Sequence, residues 1–199
     1  MGKFKGMDIK LKAAAVVAAA ALAAAPLFSC SFDGLPGGSA YKAEVDSGNF
    51  DCYFPRDGQE PQPALIDVIS SAEKTVDMAI YSFTDTKIAD ALVSAEKKGV
   101  QVRVITDGEA SQNKYQKKVL NKLKKAGIPV KVDSHSGLMH LKVTVADKKT
   151  ATTGSFNYTK SAEEKNDEVF VVIKDSGIAE NFSSEFEKMW DDADNFKKY

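Results

Sequence analysis

His140 and Lys142 lie two residues apart in a segment that alternates apolar and polar side chains. On a β-strand, residues two apart point to the same face at a spacing of about 6.5 Å. The pattern therefore predicts a strand that carries His140, Lys142 and Thr144 on one face. The opposite face would anchor that strand in the core through Leu141, Val143 and Val145. A lysine fixed beside an imidazole keeps a positive charge next to a nitrogen nucleophile.

A turn of small and polar residues, Gly154-Ser155-Phe156-Asn157, follows the same segment. In an extended chain Ser155 and Asn157 would point the same way and offer a hydroxyl and an amide. Gly154 has no side chain, so the backbone can approach a ligand closely. A histidine nucleophile, a cation and two hydrogen-bonding side chains suit a phosphoryl group, because the last three can hold its oxygens during attack.

Six residues follow the spacing His-x-Lys-x4-Asp-x6-Gly-Ser-x-Asn, and they are His140, Lys142, Asp147, Gly154, Ser155 and Asn157. This pattern resembles the signature of the phospholipase D superfamily. The resemblance covers most of residues 50–195, including the stretches AIYSFTD, KKGVQVRVITD and GSFNYTKSAEEKNDEVFVVI. It is closest to the small bacterial nucleases that carry one copy of the motif and to their mitochondrial cardiolipin hydrolase relatives.

The resemblance implies a phosphodiesterase that works through a covalent intermediate. His140 would attack phosphorus and form a phosphohistidine. Lys142 and Asn157, helped by Ser155, would hold the non-bridging oxygens of the phosphate. The superfamily signature thus gives the same reaction class as the residue types themselves.

Two acids belong to the candidate site with different expected roles. Asp147 is part of the signature and is grouped with His140 and Lys142 as a catalytic residue, although we expect it to fix a loop or neighbouring donors without touching phosphate. Glu168 matches the position of an acid that orients a histidine in the superfamily. Glu163 and Asp167 lie close by and are alternatives for that role.

The chain contains two histidines, and the reaction needs a second one to protonate the leaving alkoxide and then to activate water. His135 lies in the loop sequence DSHSG, and no lysine follows it two residues later. We therefore predict that His135 is a solvated loop residue, which could lie at the mouth of the site. We therefore expect a two-fold homodimer, in which His140 of one subunit faces His140 of the other across a shared site.

The sequence carries no His-Glu-x-x-His motif and no cysteine pair at zinc spacing, so we expect no metal and no other cofactor. A non-specific endonuclease acting on DNA or RNA is the first functional prediction. The alternative is a phospholipase D or cardiolipin hydrolase acting on phospholipid head groups, because one site can cleave either diester. A non-catalytic surface lipoprotein that binds through this fold is a third hypothesis.

The whole chain has a net charge of only −1, so any binding of a polyanion must come from a local patch of positive charge. Six lysines occur within residues 114–125, where they form either a solvated helix face or a surface that contacts nucleic-acid phosphates. Arg103 lies in the middle of a predicted strand, either near the site or paired with an acid. A nuclease would use a basic groove, whereas a lipid enzyme would have an apolar rim beside its cleft.

The scaffold that must position these residues is predicted from apolar periodicity. Helices are expected over residues 64–74, 85–98, 111–126 and 178–190. Strands are expected over residues 75–83, 100–106, 128–132, 138–146, 150–153 and 167–173. The alternation predicts an α/β fold with a mixed central sheet flanked by helices on both faces, parallel in its first half and hairpin-like around residues 140–157. This is the phospholipase D-like fold that the resemblance implies.

The N-terminal part of the chain has the layout of an export signal. Four lysines precede an apolar run over residues 13–28, which is short for a membrane span. We predict a signal peptide over residues 1–29 with lipidation at Cys30, a tether over 30–49, and one catalytic domain over 50–199. Cleavage after residues 23–25 and a Cys30–Cys52 disulfide are the alternatives. An exported protein, membrane-anchored through Cys30 or periplasmic or secreted, is expected.

Overall fold

A single mixed β-sheet organises the computed structural model, which describes residues 46–199. Within those residues the strands are β1 (Phe50–Tyr53), β2 (Thr75–Ile80), β3 (Gln101–Thr106), β4 (Val130–Asp133), β5 (Lys142–Ala146), β6 (Thr150–Gly154), β7 (Phe170–Ile173) and β8 (Phe196–Lys198). Their spatial order is β1-β7-β6-β5-β2-β3-β4-β8. The connecting helices are α1 (Pro61–Ser71), α2 (Thr86–Lys97), α3 (Lys114–Lys125), α4 (Lys160–Glu164) and α5 (Ser176–Asp191).

Side-chain caps fix where the longer helices begin. The Asp85 carboxylate accepts hydrogen bonds from the backbone N–H groups of Lys87 and Ile88 at the start of α2. Asn113 caps α3 and Asp175 caps α5 in the same way. Each cap satisfies backbone donors that have no partner inside the helix.

Helices cover both faces of the sheet. The larger core lies between one face and α1, α2, α3 and α4, and its buried members include Leu65, Met78, Ile88, Val104, Leu120 and Ala162. Helix α5 covers the other face, with the buried side chains Ala79, Ile105, Val143, Val145, Ala179 and Phe186. This division follows from the alternation of side chains along each strand, and it confirms the predicted fold class.

The sheet changes direction between β2 and β5, and this change positions the site. β2, β3 and β4 run parallel, whereas β5 pairs antiparallel with β2 and with β6. In that register Lys142, the first residue of β5, lies opposite Ile80, the last residue of β2. The segment with His140 therefore reaches the carboxyl edge of the parallel strands, where α/β proteins place their ligands.

Several local predictions need correction. The sequence patterns do not predict β1, α4 or β8, which are three to five residues long. The strand expected over residues 138–146 begins only at Lys142. Leu141, which we expected in the core, is 42% exposed because it precedes the strand and lies at the sheet edge.

The predicted signal peptide over residues 1–29 and Cys30 lie outside the described residues. Of the predicted tether, Ser47–Asn49 form a short 3-10 turn that the Asp46 side chain caps. The backbone oxygen of Asn49 accepts a hydrogen bond from the Lys174 N–H at 2.7 Å, which joins this turn to the end of β7. No helix within residues 46–199 is long and apolar enough to cross a membrane.

Candidate active site

Lys142 is buried at the sheet edge, and its ammonium group contacts two residues, His140 and Tyr81. Its Nζ lies 3.3 Å from Nδ1 of His140 and donates to the His140 backbone oxygen at 2.8 Å. The same Nζ lies 5.1 Å from the centre of the Tyr81 ring, within the range of a cation–π contact. The predicted pair of histidine and lysine is therefore in contact, with the imidazole at the exposed end.

Tyr81 is a site residue that the sequence patterns do not single out. Its ring centre lies 4.6 Å from that of His140 at an angle of 53°. Its backbone N–H donates to the Leu141 oxygen at 2.8 Å, which joins the end of β2 to the segment before β5. A signal for it exists in the sequence, because Tyr81 directly follows a buried strand at the edge where ligands bind.

Burial lowers the pKa of Lys142 below its usual value, while the nearby Glu168 carboxylate acts to raise it. Burial disfavours the charged form of an amine, and an opposite charge favours it. The lysine thus keeps its positive charge against a desolvation cost. A binding site for a phosphate has this character, because the ligand's negative charge relieves that cost.

Ser155, Glu168 and Asn166 form a hydrogen-bonded group beside this lysine. The Ser155 hydroxyl donates to Glu168 Oε2 at 2.5 Å, and Asn166 donates to Oε1 at 2.9 Å. Ser155 Oγ also accepts from the Val169 N–H at 3.1 Å. These contacts are made within one chain and do not include a histidine, so the role of Glu168 in orienting a histidine stays a prediction. Glu168 acts on Lys142 through its charge.

Gly154 allows the strands on either side of this group to approach. Its φ of +140° is unfavourable for other residues, and a Cβ there would collide with the backbone oxygen of Val169. The Ser155 N–H donates to that same oxygen at 3.0 Å. The glycine of the signature therefore serves the packing of β6 against the chain before β7.

Asn157 has an unsatisfied side-chain oxygen. Its Oδ1 is buried and has no hydrogen-bond partner within the described part of the chain. Buried polar atoms are nearly always paired, so an unpaired one at a candidate site points to a ligand or to a rearranged amide. Only the amide Nδ2 of this side chain can donate to a phosphate, which is the role that the sequence predicts for Asn157.

Asp147 lies at the far end of β5 from His140. Its carboxylate accepts hydrogen bonds from the backbone N–H groups of Glu73, Lys74 and Thr75 at 2.8, 2.7 and 2.9 Å. Partial burial acts to raise its pKa, but these three donors outweigh it and lower the pKa. This placement does not support grouping Asp147 with the catalytic residues. The residue holds the connection between α1 and β2.

The other candidates occupy separate places. His135 Nε2 lies 3.6 Å from Asp133 Oδ2, and its ring packs edge-on against Phe196, so it is half-buried and more than a solvated loop residue. Asp167 faces Arg56, 3.6 Å away. Glu163 accepts a hydrogen bond from the Gln62 N–H on α1. None of these observations supports either acid as an alternative to Glu168.

Arg103 lies on the face of the sheet that α5 covers, opposite the larger core. It forms paired hydrogen bonds with Asp77 and with Glu187, at 2.7 to 2.9 Å, and lies against the rings of Phe186 and Trp190. Burial acts to lower its pKa, but the two carboxylates raise it. Arg103 is therefore paired with acids and anchors α5, which decides between the two predicted roles.

Two further predictions depend on groups beyond this site. Among residues 46–199, no cluster of three or more His, Cys, Asp and Glu side chains is arranged to hold a metal ion. Cys52 is exposed on β1. Its predicted alternative partner Cys30 lies outside the described residues, so the disulfide stays a prediction.

Comparison with known proteins identifies the family. A family model described as the PLD-like domain of cardiolipin synthase matches residues 65–190. The chain belongs to the phospholipase D-like family. The family match includes the whole signature, and it confirms the predicted superfamily.

Relatives in this family support an enzyme of the hydrolase class. The chain is 38% identical to a phospholipase D of Rickettsia conorii, over 57% of this chain and 56% of that protein. It is 33% identical to a mitochondrial cardiolipin hydrolase of Mus musculus, over 67% of this chain and 59% of that protein. The chain thus spans between half and two thirds of the length of these curated relatives.

Two solved structures confirm the fold. Nuc from Salmonella typhimurium, a phospholipase D family member, superposes with a TM-score of 0.70 at 33% identity, over 75% of this chain and 97% of that one. NucT from Helicobacter pylori has a TM-score of 0.63 at 31% identity, over 71% of this chain and 94% of that one.

Proposed function

We propose that the protein is a phosphodiesterase in which His140 attacks phosphorus and Lys142 holds the phosphate oxygens. The observation that carries the proposal is the contact of the Lys142 ammonium with the His140 imidazole at 3.3 Å. A cation held against its own desolvation cost beside an exposed nucleophile is suited to an anionic diester. Asn157 would complete the set of phosphate donors through its Nδ2, and Ser155 would join it by turning its hydroxyl from Glu168 to the phosphate.

Lys142 would also control the state of the nucleophile. Attack by Nε2 of His140 requires the ring proton to be on Nδ1, whereas an ammonium donor at Nδ1 favours the opposite tautomer. A phosphate that draws Lys142 to its oxygens would release Nδ1. The exposed imidazole would then exchange its proton through solvent, so substrate binding and activation of His140 would be linked.

The reaction needs a second imidazole. As Nε2 bonds to phosphorus, the bond to the leaving oxygen breaks, and that alkoxide must take a proton. The same imidazole would next take a proton from the water that cleaves the phosphohistidine and frees His140. His135 packs against Phe196 and Asp133, so we propose that His140 of a second subunit supplies this group in a two-fold homodimer.

Nucleic acid is the proposed substrate. The lysine-rich exposed face of α3 supports it, because polyphosphate chains bind mainly through such charges. The resemblance of the sequence to single-motif bacterial nucleases supports it as well. The cleavage would have little sequence preference, since no base-reading motif is evident in the sequence.

Phospholipid is the second candidate, and an apolar rim favours it. Leu138 and Leu141, on either side of His140, are 52% and 42% exposed. Leu141 also borders a groove of about 250 Å³ whose apolar members include Ala79, Val143, Phe182, Phe186 and Met189. Relatives named phospholipase D and mitochondrial cardiolipin hydrolase point the same way.

Export is a further part of the proposal, and it rests on sequence alone. The basic and apolar segment over residues 1–29 would direct secretion, and Cys30 would carry a lipid that anchors the protein to a membrane. Cell fractionation of the full chain and of a Cys30→Ser variant tests this. Equal membrane association of both proteins would contradict the lipid anchor.

One experiment separates the candidate substrates. The full chain and a His140→Ala variant are incubated with plasmid DNA, single-stranded RNA and cardiolipin vesicles, each with and without EDTA. We expect cleavage of nucleic acid that survives EDTA and is absent from the variant. Cleavage of lipid alone would overturn the nucleic-acid proposal, and loss in EDTA that a divalent ion restores would overturn the metal-free mechanism. Binding without cleavage would favour the non-catalytic hypothesis, and an active monomer in sedimentation would defeat the shared site.

A further inference from the structure

Helix α3 presents a row of lysines that its folding does not require. Its buried side consists of Gln116, Val119, Leu120 and Leu123. The outer side borders one shallow groove lined by Lys114, Lys117, Lys118, Asn121, Lys122 and Lys125. These positions recur about once per helical turn, so the ammonium groups follow a line along the helix.

Helix electrostatics explains only part of this row. Lysines near a helix C-terminus interact favourably with the helix dipole, which accounts for Lys122 and Lys125. Lys114 is the first residue of α3 and Lys117 ends the first turn, where positive charge is unfavourable, and the first turn holds no acidic residue. Like charges one turn apart, such as Lys114 and Lys118, also repel. The lysines in the first half of the row therefore do not stabilise the helix electrostatically.

The lysines in the middle of the row are not neutralised by the protein. Lys122 pairs with Asp90 on α2, and Lys124 donates to the backbone oxygen of Tyr199. The side chains of Lys117 and Lys118 are exposed, and their ammonium groups have no ion pair or hydrogen bond among residues 46–199. A chain with a net charge of −1 thus concentrates uncompensated positive charge on one helix.

The row starts at the edge that carries the active site. The Gln116 side chain donates to the Tyr81 backbone oxygen at 3.3 Å and accepts from the Phe83 N–H at 2.9 Å. Tyr81 in turn contacts His140. Helix α3 therefore begins beside the site and runs about 18 Å away from it.

An aromatic side chain stands at the active-site end of the row. Tyr115 is 61% exposed, and the Lys114 ammonium lies 4.9 Å from its ring centre. Lysines combined with an exposed aromatic ring are what proteins use to bind single strands, whose bases are free to stack. A duplex hides its base faces, and the groove between the lysines offers Asn121 rather than apolar side chains for a membrane.

We propose that the outer face of α3 binds the phosphodiester backbone of single-stranded nucleic acid and leads it to the site at His140. Lys117 and Lys118 contact phosphates, and Tyr115 stacks on a base. The inference deepens the proposed function, on which its consequence for cleavage rests. Binding itself is measured separately.

The test uses the full chain with His140→Ala, so that no substrate is consumed, and an oligothymidine of about 30 nucleotides. Lys117→Gln with Lys118→Gln removes two charges. The slope of log affinity against log salt concentration then falls by about 1.4, and the affinity at 0.1 M salt falls about 25-fold. Tyr115→Ala weakens binding of oligothymidine about fivefold and leaves the salt slope unchanged. An abasic strand binds this variant and the parent protein with equal affinity, because it has no base to stack on the ring.

The matched control is Lys97→Gln with Lys98→Gln, an adjacent exposed lysine pair at the end of α2. It leaves affinity and slope unchanged. Equal losses in both double variants, or none in the α3 variant, would overturn the proposal. So would an α3 variant that loses binding to phosphatidylglycerol vesicles while it still binds oligothymidine.

Cleavage distinguishes this proposal from the proposed function. With His140 intact, the α3 variant is expected to hydrolyse a small aryl phosphodiester as the original chain does, and to lose only its preference for long strands over short ones. If no chain hydrolyses the small diester, the phosphodiesterase proposal fails. The binding measurements still decide the role of α3.

Discussion

β5 carries Lys142 at its first residue, and Asp147 directly follows its last residue. The two side chains belong to one signature but lie about 16 Å apart along the strand. At the first end, burial opposes the lysine's charge and lowers its pKa. At the second end, three backbone donors favour the carboxylate's charge and lower its pKa. The first arrangement costs stability and would serve the proposed phosphate ligand, whereas the second stabilises the fold.

This difference divides the motif by function. Under the proposed function Lys142 meets the substrate, and its charge is opposed by burial until a ligand binds. A group that serves the scaffold is satisfied by the scaffold, as Asp147 is. Substitutions at the two ends of β5 should therefore separate activity from stability.

Replacing His140 should give the largest effect on activity. His140→Ala is expected to lower kcat/KM on a phosphodiester by at least about 10⁴-fold, because the nucleophile is lost. Thermal unfolding should change little, since the side chain is exposed and the lysine keeps its contact with the backbone oxygen of residue 140. Residual activity above about a tenth would show that His140 is not the nucleophile.

Replacing Tyr81 tests whether the end of β5 that carries Lys142 depends on an aromatic ring beside it. Tyr81→Leu removes the face that contacts both His140 and the Lys142 ammonium, and we expect kcat/KM to fall about tenfold. The alkaline limb of the pH profile should also move to lower pH, because the ring no longer stabilises the ammonium form. Tyr81→Phe keeps the ring and should stay within about twofold. An equal loss in both variants would point to the hydroxyl instead.

Asp147 tests the structural end. Asp147→Asn should lower the free energy of unfolding by about 1–2 kcal/mol, a figure reduced because the carboxylate is only partly buried. The activity of the folded fraction should stay within about twofold. Since the folded pKa is lowered, the stabilisation exists above the ordinary aspartate pKa and disappears as pH falls through the folded value. Chemical denaturation of both proteins at neutral and acidic pH measures this, and a difference that persists at low pH would contradict it.

Glu168 should give the smallest and most specific change. Its carboxylate acts to raise the pKa of Lys142, so Glu168→Gln lowers that pKa further. Because the lysine must be charged to hold phosphate, the alkaline limb of kcat/KM should move to lower pH. Glu163→Gln is the control, since its carboxylate contacts Gln62 on α1. A shift of the alkaline limb of the same size in the Glu163→Gln control would contradict a specific effect of Glu168 on Lys142.

The sequence predicted the four longer helices, the central strands and the contact between His140 and Lys142, because these depend on periodicity and on local spacing, but it missed the short helix α4. It did not predict β1 and β8, which are edge strands that form only through pairing with β7 and β4. The predicted burial of Leu141 was wrong, because the alternation of apolar and polar residues does not show where a strand begins. Tyr81 was missed because its role depends on the antiparallel pairing of β2 with β5, two strands distant in sequence.

The carboxylate of Asp147 also shapes how related chains can diverge. Under the proposed function, a descendant that replaces His140 would retain the hydrogen bonds of Asp147, the sheet and the donors to phosphate, and would bind phosphate groups without hydrolysing the diester. A descendant that replaces Asp147 keeps its chemistry but tolerates fewer later mutations. Evolutionary drift in this scaffold should therefore yield inert phosphate-binding proteins more readily than active but fragile enzymes.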